Sequence, residues 1–124
     1  MNSKAKGKRG ELELVEELRN CGYANARRSS QYCGNTGDAP DITGVDGLHI
    51  ECKRREQIQD EAFIQQAERE AKKGDIPVVM YRRSREKWKV CLRLDIFMLM
   101  WSELSDLQKY NIKEKYKFMR KKTK

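Results

Sequence analysis

The apolar residues of this chain follow two periods, one typical of helices and one typical of strands. Leu14, Val15 and Leu18 repeat at the three- and four-residue spacing of a helix face. Ile50 and Cys52 instead alternate with polar neighbours, as in a half-buried strand. The pattern predicts helices from Lys8–Gly10 to Asn20 or Cys21 and over Asp60–Lys73, Leu94–Leu104 and 105–124, and strands over Tyr23–Arg28, both arms of Ala39–Lys53, Ile76–Tyr81 and Trp88–Arg93.

The order of these elements indicates an α/β fold. The helix over Asp60–Lys73 lies between the strands 48–53 and Ile76–Tyr81, which suggests a crossover connection. We therefore expect helices packed on a small mixed sheet. At 124 residues the chain has the size of a single domain over 1–124, and its basic ends, 1–9 and 105–124, are expected to be flexible.

The segment Ala39–Lys53 contains the densest candidate chemistry. Asp46-Gly47 is a strong signal for a two-residue turn in which both residues have φ > 0. A hairpin around that turn folds Asp41 back toward Glu51, and Lys53 projects from the same strand face as Glu51. Two carboxylates and an ammonium then meet at one place, where they can hold a hard divalent cation and a polarised water. The alternative is a cluster of surface salt bridges.

Two other polar residues near this segment have open roles. His49 lies on the same strand face as Glu51, and a lone His in such a place is typical of a structural or rim residue, with a catalytic base as the alternative. Gln66 borders the apolar stripe of the second helix. It is typical of a boundary polar residue, with contact to the site as the alternative.

Glu11 falls within the apolar stripe of the first helix. Leu14, Val15 and Leu18 follow it at i+3, i+4 and i+7, so its carboxylate is expected to face inward. A buried carboxylate needs a metal, a cation or a proton. The alternatives are a fraying first turn that leaves Glu11 in water, or an acid near the helix N-terminus that the helix dipole favours.

The segment Leu94–Leu104 is apolar nearly all round the predicted helix. One contact face needs fewer apolar residues than this. Either this is the most buried helix of the core, which we favour, or its far side meets another subunit.

Basic residues concentrate at the two ends of the chain. The sequence has 27 Lys and Arg against 19 Asp and Glu, a net charge of +8, and residues 1–9 carry +4 while residues 109–124 carry +7. This distribution favours a polyanion held at the periphery, and the alternative is a pair of tails that aid solubility. The polar loop Ser29–Asp38, entered through Arg27 and Arg28, is either a phosphate contact or an ordinary surface loop.

The cysteines and the apolar runs argue against several classes of protein. Cys21, Cys33, Cys52 and Cys91 are irregularly spaced with no Cys-x-x-Cys pair, so a zinc site is not expected. We expect free thiols in a reducing compartment instead. The longest apolar run, Ile96–Trp101, is far shorter than the roughly 20 residues of a membrane span. The basic N-terminus leads into no apolar run, so we expect no signal peptide, no membrane partner and a cytoplasmic location.

Three pieces of the sequence together resemble a known superfamily. Glu11, Pro40-Asp41 and Glu51-Cys52-Lys53 stand in an order that is similar to the PD-(D/E)XK nucleases. Within that superfamily the likeness is to the archaeal-type Holliday junction resolvases and their small phage relatives, and it covers residues 7 to about 93. The resemblance implies a restriction-endonuclease-like α/β/α core with a small mixed β-sheet.

The resemblance also implies roles for individual residues. Asp41, Glu51 and the backbone carbonyl of Cys52 would bind Mg²⁺, with Mn²⁺ as the alternative ion, and Glu11 would complete the shell of the metal. Lys53 would orient the attacking water and steady the charge that develops on the phosphate. No other cofactor is implied. The residues expected to contact DNA are Lys8, Arg9, Arg27, Arg28, Ser29, Ser30, Arg54 and Arg55.

The resemblance implies a metal-dependent endodeoxyribonuclease of phage type that cuts branched DNA such as a four-way junction. A symmetric homodimer is expected, because it supplies the two equivalent active sites that symmetric cutting of two strands needs. The alternatives are a PD-(D/E)XK nuclease of another substrate, of the nicking, repair or restriction type, and a non-catalytic nucleic-acid-binding module.

Overall fold

The computed structural model describes residues 3–29, 39–56, 60–71 and 74–122. The loop residues 30–38, and with them Ser30, lie outside the described residues. None of the helices in the described ranges has the length and hydropathy of a membrane-spanning segment. The elements are α1 (Ser3–Asn20), β1 (Arg27–Arg28), β2 (Ile42–Thr43), β3 (Leu48–Arg54), α2 (Asp60–Glu70), β4 (Ile76–Arg82), β5 (Lys89–Cys91), α3 (Leu94–Ser102) and α4 (Asp106–Lys122).

The five strands form one mixed sheet in the order β1-β2-β3-β4-β5. The pairs β1–β2, β2–β3 and β4–β5 are antiparallel, whereas β3 and β4 are parallel with Ile50 opposite Val78. The parallel pair follows from the crossover through α2, because a short hairpin can join only antiparallel strands. The predicted mixed sheet is confirmed.

Alternate side chains of the central strands enter two different apolar layers. Ile50 and Val78 pack with Leu14 of α1 in one buried cluster, whereas Val79 packs with Phe63 of α2 in the other. α1 and α2 therefore cover opposite faces of the sheet, which confirms the predicted α/β/α core. Since β3 alternates in the same way, the residues that flank Ile50 face the α2 layer.

The first helix starts earlier than predicted and ends as predicted. It begins at Ser3 rather than at Lys8–Gly10. The only weak helix former between Ser3 and Lys8 is Gly7, and a single glycine is tolerated in a helix. At the other end Gly22 has φ +104°, and the Tyr23 N–H donates to the Leu18 carbonyl at 3.1 Å. This is a Schellman ending, in which glycine adopts the left-handed conformation at low cost.

The connection between β2 and β3 differs from the predicted two-residue turn. It covers residues 44–47, and only its two glycines have positive φ, +94° at Gly44 and +88° at Gly47. The Leu48 N–H donates to the Val45 carbonyl at 3.3 Å, so the turn needs one left-handed residue rather than two. Gly44 passes directly against another segment, because a Cβ there would lie 2.0 Å from the carbonyl oxygen of Asn25.

The chain divides into two compact units, Met1–Leu92 and Arg93–Lys124, and the sheet belongs to the first. The second contains α3 and α4. No residue of α3 is buried, and Leu94 and Leu99 are 74% and 58% exposed. The expectation that this helix belongs to the core is therefore wrong, and its apolar side chains need another explanation.

Replacing Gly44 by alanine should destabilise the fold more than the same change at Gly47. Both glycines have positive φ, which costs an alanine about 1 kcal/mol or more. Only Gly44 also meets the Asn25 carbonyl, so Gly44→Ala should cost about 2–4 kcal/mol in free energy of unfolding. Urea denaturation measures both changes. Equal losses at the two positions would contradict the close packing at Gly44.

Candidate active site

The register of β2 against β3 brings Asp41 opposite Glu51. Ile42 pairs with Ile50 in an antiparallel ladder. Asp41, one residue before Ile42, therefore lies opposite Glu51, one residue after Ile50. The Asp41 N–H donates to the Ile50 carbonyl at 2.9 Å, and the Asp41 Oδ2 accepts the backbone N–H of Cys52 at 2.8 Å. Two hydrogen bonds thus fix both the backbone and the carboxylate of Asp41 beside β3.

Glu51 is a buried acid, with 2% of its surface exposed. Its Oε1 lies 2.8 Å from the Nε2 of His49, and its carboxyl is within hydrogen-bonding reach of those of Asp41 and Glu70. Burial, followed by the charge of Asp41 and the contacts with Glu70, raises the pKa of Glu51 to about 9. A carboxyl in this place needs a proton or a cation to offset its charge.

His49 is buried beside Glu51 rather than at a rim. The nearest ligand atoms of His49, Glu51 and Glu70 lie within 4.8 Å of one another, a spacing at which they can share a metal ion. Sequence reasoning did not identify Glu70. The available signal was its spacing on α2, four residues after Gln66 and three after the buried Ala67, which places it at the border of the buried stripe.

Gln66 contacts the site, which was the alternative to a simple boundary role. Its Oε1 accepts a hydrogen bond from the Lys53 Nζ at 3.3 Å, and its Nε2 donates to the Glu70 Oε1 at 3.3 Å. The Lys53 ammonium also lies 4.9 Å from the centroid of the Phe63 ring. One side chain of α2 therefore links the ammonium on β3 to the carboxyl cluster.

Glu11 faces inward from the middle of α1, so the first-turn interpretation is wrong. Its side chain is 22% exposed, and its Oε1 accepts from the Arg28 Nε at 2.9 Å. Burial and then the charge of Asp41 raise the pKa of Glu11, against the opposing effects of Arg28 and Lys53. Glu11 thus lies within electrostatic reach of both Asp41 and Lys53.

Gly10 explains how α1 comes so close to the site. A Cβ on Gly10 would lie 2.6 Å from the Cβ of Arg54, at the end of β3. A side chain there would push the helix away from the strand that contains Glu51 and Lys53. The glycine before Glu11 therefore contributes to the position of Glu11 through packing.

The thiol of Cys52 projects to the other face of β3. Burial, followed by the charges of Asp41 and Glu11, raises its pKa. A thiol in this environment stays neutral and is a poor metal ligand. What Cys52 offers the site is its backbone, whose N–H already holds Asp41.

The residues expected to contact DNA fall into two groups. Lys8, Arg9, Arg27 and Arg55 are exposed, and the Arg27 Nη1 donates to the nearby carbonyl of Asn25 at 3.1 Å. The other described residues of this set form contacts within the protein. Arg28 forms an ion pair with Glu11, and Arg54 lies 3.7 Å from Glu13. The Ser29 hydroxyl donates to the Pro40 carbonyl.

Comparison with known proteins bears on the chain as a whole. A family model described as "Phage putative PDDEXK endonuclease" matches residues 2–124. One similar solved structure is that of Hjc, a Holliday junction resolvase from the archaeal hyperthermophile Archaeoglobus fulgidus, with 26% sequence identity over 68% of this chain and 70% of that chain and a TM-score of 0.46. No curated protein matches the sequence. Because the family model spans nearly all of the sequence, the chain belongs to the phage PDDEXK endonuclease family.

Proposed function

We propose that this protein is a metal-dependent endodeoxyribonuclease that hydrolyses phosphodiester bonds in branched DNA. The observation that carries the proposal is the meeting of the Asp41 and Glu51 carboxyls across β2 and β3, on a strand that also presents Lys53. Acids and a fixed ammonium in one place are the groups that hydrolysis of a phosphodiester needs. The membership of the family supports the reaction class.

The residues of the cluster fit a divalent cation. Asp41 and Glu51 would hold it, with Glu11, Glu70 and the backbone carbonyl of Cys52 as further oxygen donors. Mg²⁺ prefers this oxygen chemistry, and Mn²⁺ accepts it. The raised pKa of Glu51 supports the assignment, because it marks a carboxyl whose charge requires a partner. When bound, the ion supplies a water of lowered pKa and neutralises charge on the phosphate.

Lys53 would stabilise the charge that develops on the scissile phosphate. Negative charge grows on the phosphate as water attacks, and an ammonium held in place beside it lowers the energy of the transition state. The contacts with Gln66 and Phe63 restrict the ammonium before substrate arrives. We assign Gln66 to the positioning of Lys53 for that reason.

The proposed substrate is DNA, and the more specific proposal is that this DNA is branched. The exposed Lys8, Arg9, Arg27 and Arg55 supply positive charge on the same unit as the acids, which suits a phosphate backbone. The branched shape rests on the likeness of the motifs to those of junction resolvases. A nicking, repair or restriction-type nuclease is the second candidate, because the active-site residues would be the same.

Asp41→Asn and Glu51→Gln should each lower cleavage by about 100-fold or more, because each removes a charged oxygen ligand of the proposed cation. The measurement uses a labelled four-way junction and a linear duplex in Mg²⁺. Glu16→Gln is the matched control, since Glu16 is an exposed acid on α1 and should leave cleavage unchanged. Faster cutting of the junction supports branch selectivity, and equal cutting of both substrates contradicts it. Tight binding without any metal-dependent cleavage would favour a non-catalytic binding module instead.

Without metal, Glu51→Gln should stabilise the protein increasingly as the pH rises. The folded protein keeps a proton on Glu51 up to about pH 9, whereas the unfolded chain releases it near pH 4.5. Rising pH between these values therefore favours unfolding of the wild-type protein, by up to about 1.4 kcal/mol per pH unit. Chemical denaturation in EDTA at pH 5.5 and 8.5 measures the gap between the two proteins. A gap that does not widen would contradict the assigned environment of Glu51.

The proposed dimer makes use of α3. Symmetric cutting of two strands needs two equivalent sites, and the apolar side chains Leu94, Phe97 and Leu99 are exposed on α3. Apolar surface of this kind is typical of contacts between subunits.

Leu99→Glu should therefore weaken the dimer by about 30-fold or more, because it places a charge in an apolar interface. Light scattering across a concentration series measures the dissociation constant. Leu12→Glu is the matched control, since Leu12 is an exposed leucine on α1. A wild-type protein that stays monomeric at high concentration, or equal effects of both changes, would contradict this interface.

A further inference from the structure

α4 has a lysine at every fourth position over much of its length. Lys109, Lys113, Lys117 and Lys121 recur at i, i+4, i+8 and i+12. At 100° per residue these four positions occupy a band of about 120° around the helix. We call this set the basic stripe. It spans about 18 Å along the helix axis, from the rise of 1.5 Å per residue.

Little within the second unit neutralises the basic stripe. Lys117 bonds to Glu114 at 3.0 Å, and the Lys109 ammonium lies 6.0 Å from the Trp101 ring. Among the residues that the structure describes, neither Lys113 nor Lys121 forms an ion pair. Cations held at regular spacing on one side of a helix create a strong local positive potential.

The apolar residues of α4 do not form one continuous face. By helix periodicity, Leu107 and Phe118 lie on one flank of the basic stripe and Ile112 and Met119 on the other, with Lys115 between the two pairs. A helix that lies on a membrane, or in a coiled coil, needs a continuous apolar face. The distribution of apolar and basic residues on α4 therefore favours a negatively charged partner, bound through the lysines.

Two tyrosines lie in or beside the basic stripe and strengthen its fit to a nucleic acid. By helix periodicity Tyr116 lies beside the edge formed by Lys109, and Tyr110 lies within the stripe near the edge formed by Lys121; both side chains are exposed. Tyrosine hydroxyls and lysine ammonium groups are both common donors to backbone phosphates. The single acid at the start of the helix, Asp106, is offset by the positive end of the helix dipole.

We propose that the basic stripe binds the phosphate backbone of DNA through residues that the candidate active site does not use. This inference rests on the proposed function, because it takes the substrate to be DNA. A helix segment of about 18 Å has the length of roughly five phosphates along one strand of B-form duplex, so it has room for four lysine contacts with the backbone. Such contacts read no sequence, and they give the protein affinity for DNA of many shapes.

Lys113→Gln tests the proposal against the matched control Lys115→Gln. The two lysines are two residues apart on the same exposed helix, and only Lys113 belongs to the basic stripe. Binding to a labelled duplex is measured in EDTA from 50 to 300 mM salt. Lys113→Gln should weaken binding about 5- to 10-fold near 0.1 M salt and reduce the salt slope by about 0.9, whereas Lys115→Gln should do neither. Equal effects of the two changes overturn the proposal.

Glutamine at all four positions of the basic stripe gives a larger test. The salt slope should fall by about 3 to 4, while the cleavage rate at saturating protein stays within about 2-fold of wild type. Circular dichroism checks that α4 remains helical, and glutamine is a good helix former. An unchanged slope with an altered molar mass would mean that the stripe contacts another copy, and would overturn the proposal. Because binding is measured without metal, the result is independent of whether the protein cleaves DNA.

Discussion

The contact of Asp41 with Glu51 is the constraint on which the site depends. It is set by the register of β2 on β3 and by the bond from the Cys52 N–H to the Asp41 carboxylate. A shift of one residue would send Asp41 to the α1 layer and separate the two acids. Ile42 and Ile50, fully buried on the other side of the same two strands, oppose such a shift. The apolar layer therefore holds the polar one in register.

Burial of the acids has a cost that the rest of the fold must offset. Glu51 sits among carboxyls with almost no access to water, and its raised pKa reports that its charged form is disfavoured there. Without a bound cation, these buried acids make the fold less stable than apolar residues at the same positions would. The arrangement is typical of sites that are prepared for a charged ligand. In this view α2 contributes chemistry as well as packing, through Gln66 and Glu70.

Much of the fold and part of the site follow from sequence pattern alone. Strand alternation placed Glu51 and Lys53 on one face, and the helical stripe placed Glu11 inward, because both depend on local periodicity. Glu70 was missed, since its approach to Glu51 depends on how α2 packs across the sheet. The turn after β2 was misjudged because the connection has four residues, with positive φ only at Gly44 and Gly47, and Gly44 packs against the carbonyl of Asn25, which is distant in the sequence. The exposure of α3 could not be predicted, as an apolar helix looks the same in a core and at an interface.

The most direct test of this account is calorimetric titration of Mg²⁺ into the protein at pH 7, in two buffers that differ in ionisation enthalpy. The account predicts binding of a cation with net release of protons, because the Glu51 carboxyl must give up its proton to bind metal. It also predicts that Asp41→Asn abolishes the proton-linked binding. Mg²⁺ binding that releases no proton, or that persists unchanged in Asp41→Asn, would contradict a metal site formed by the two acids.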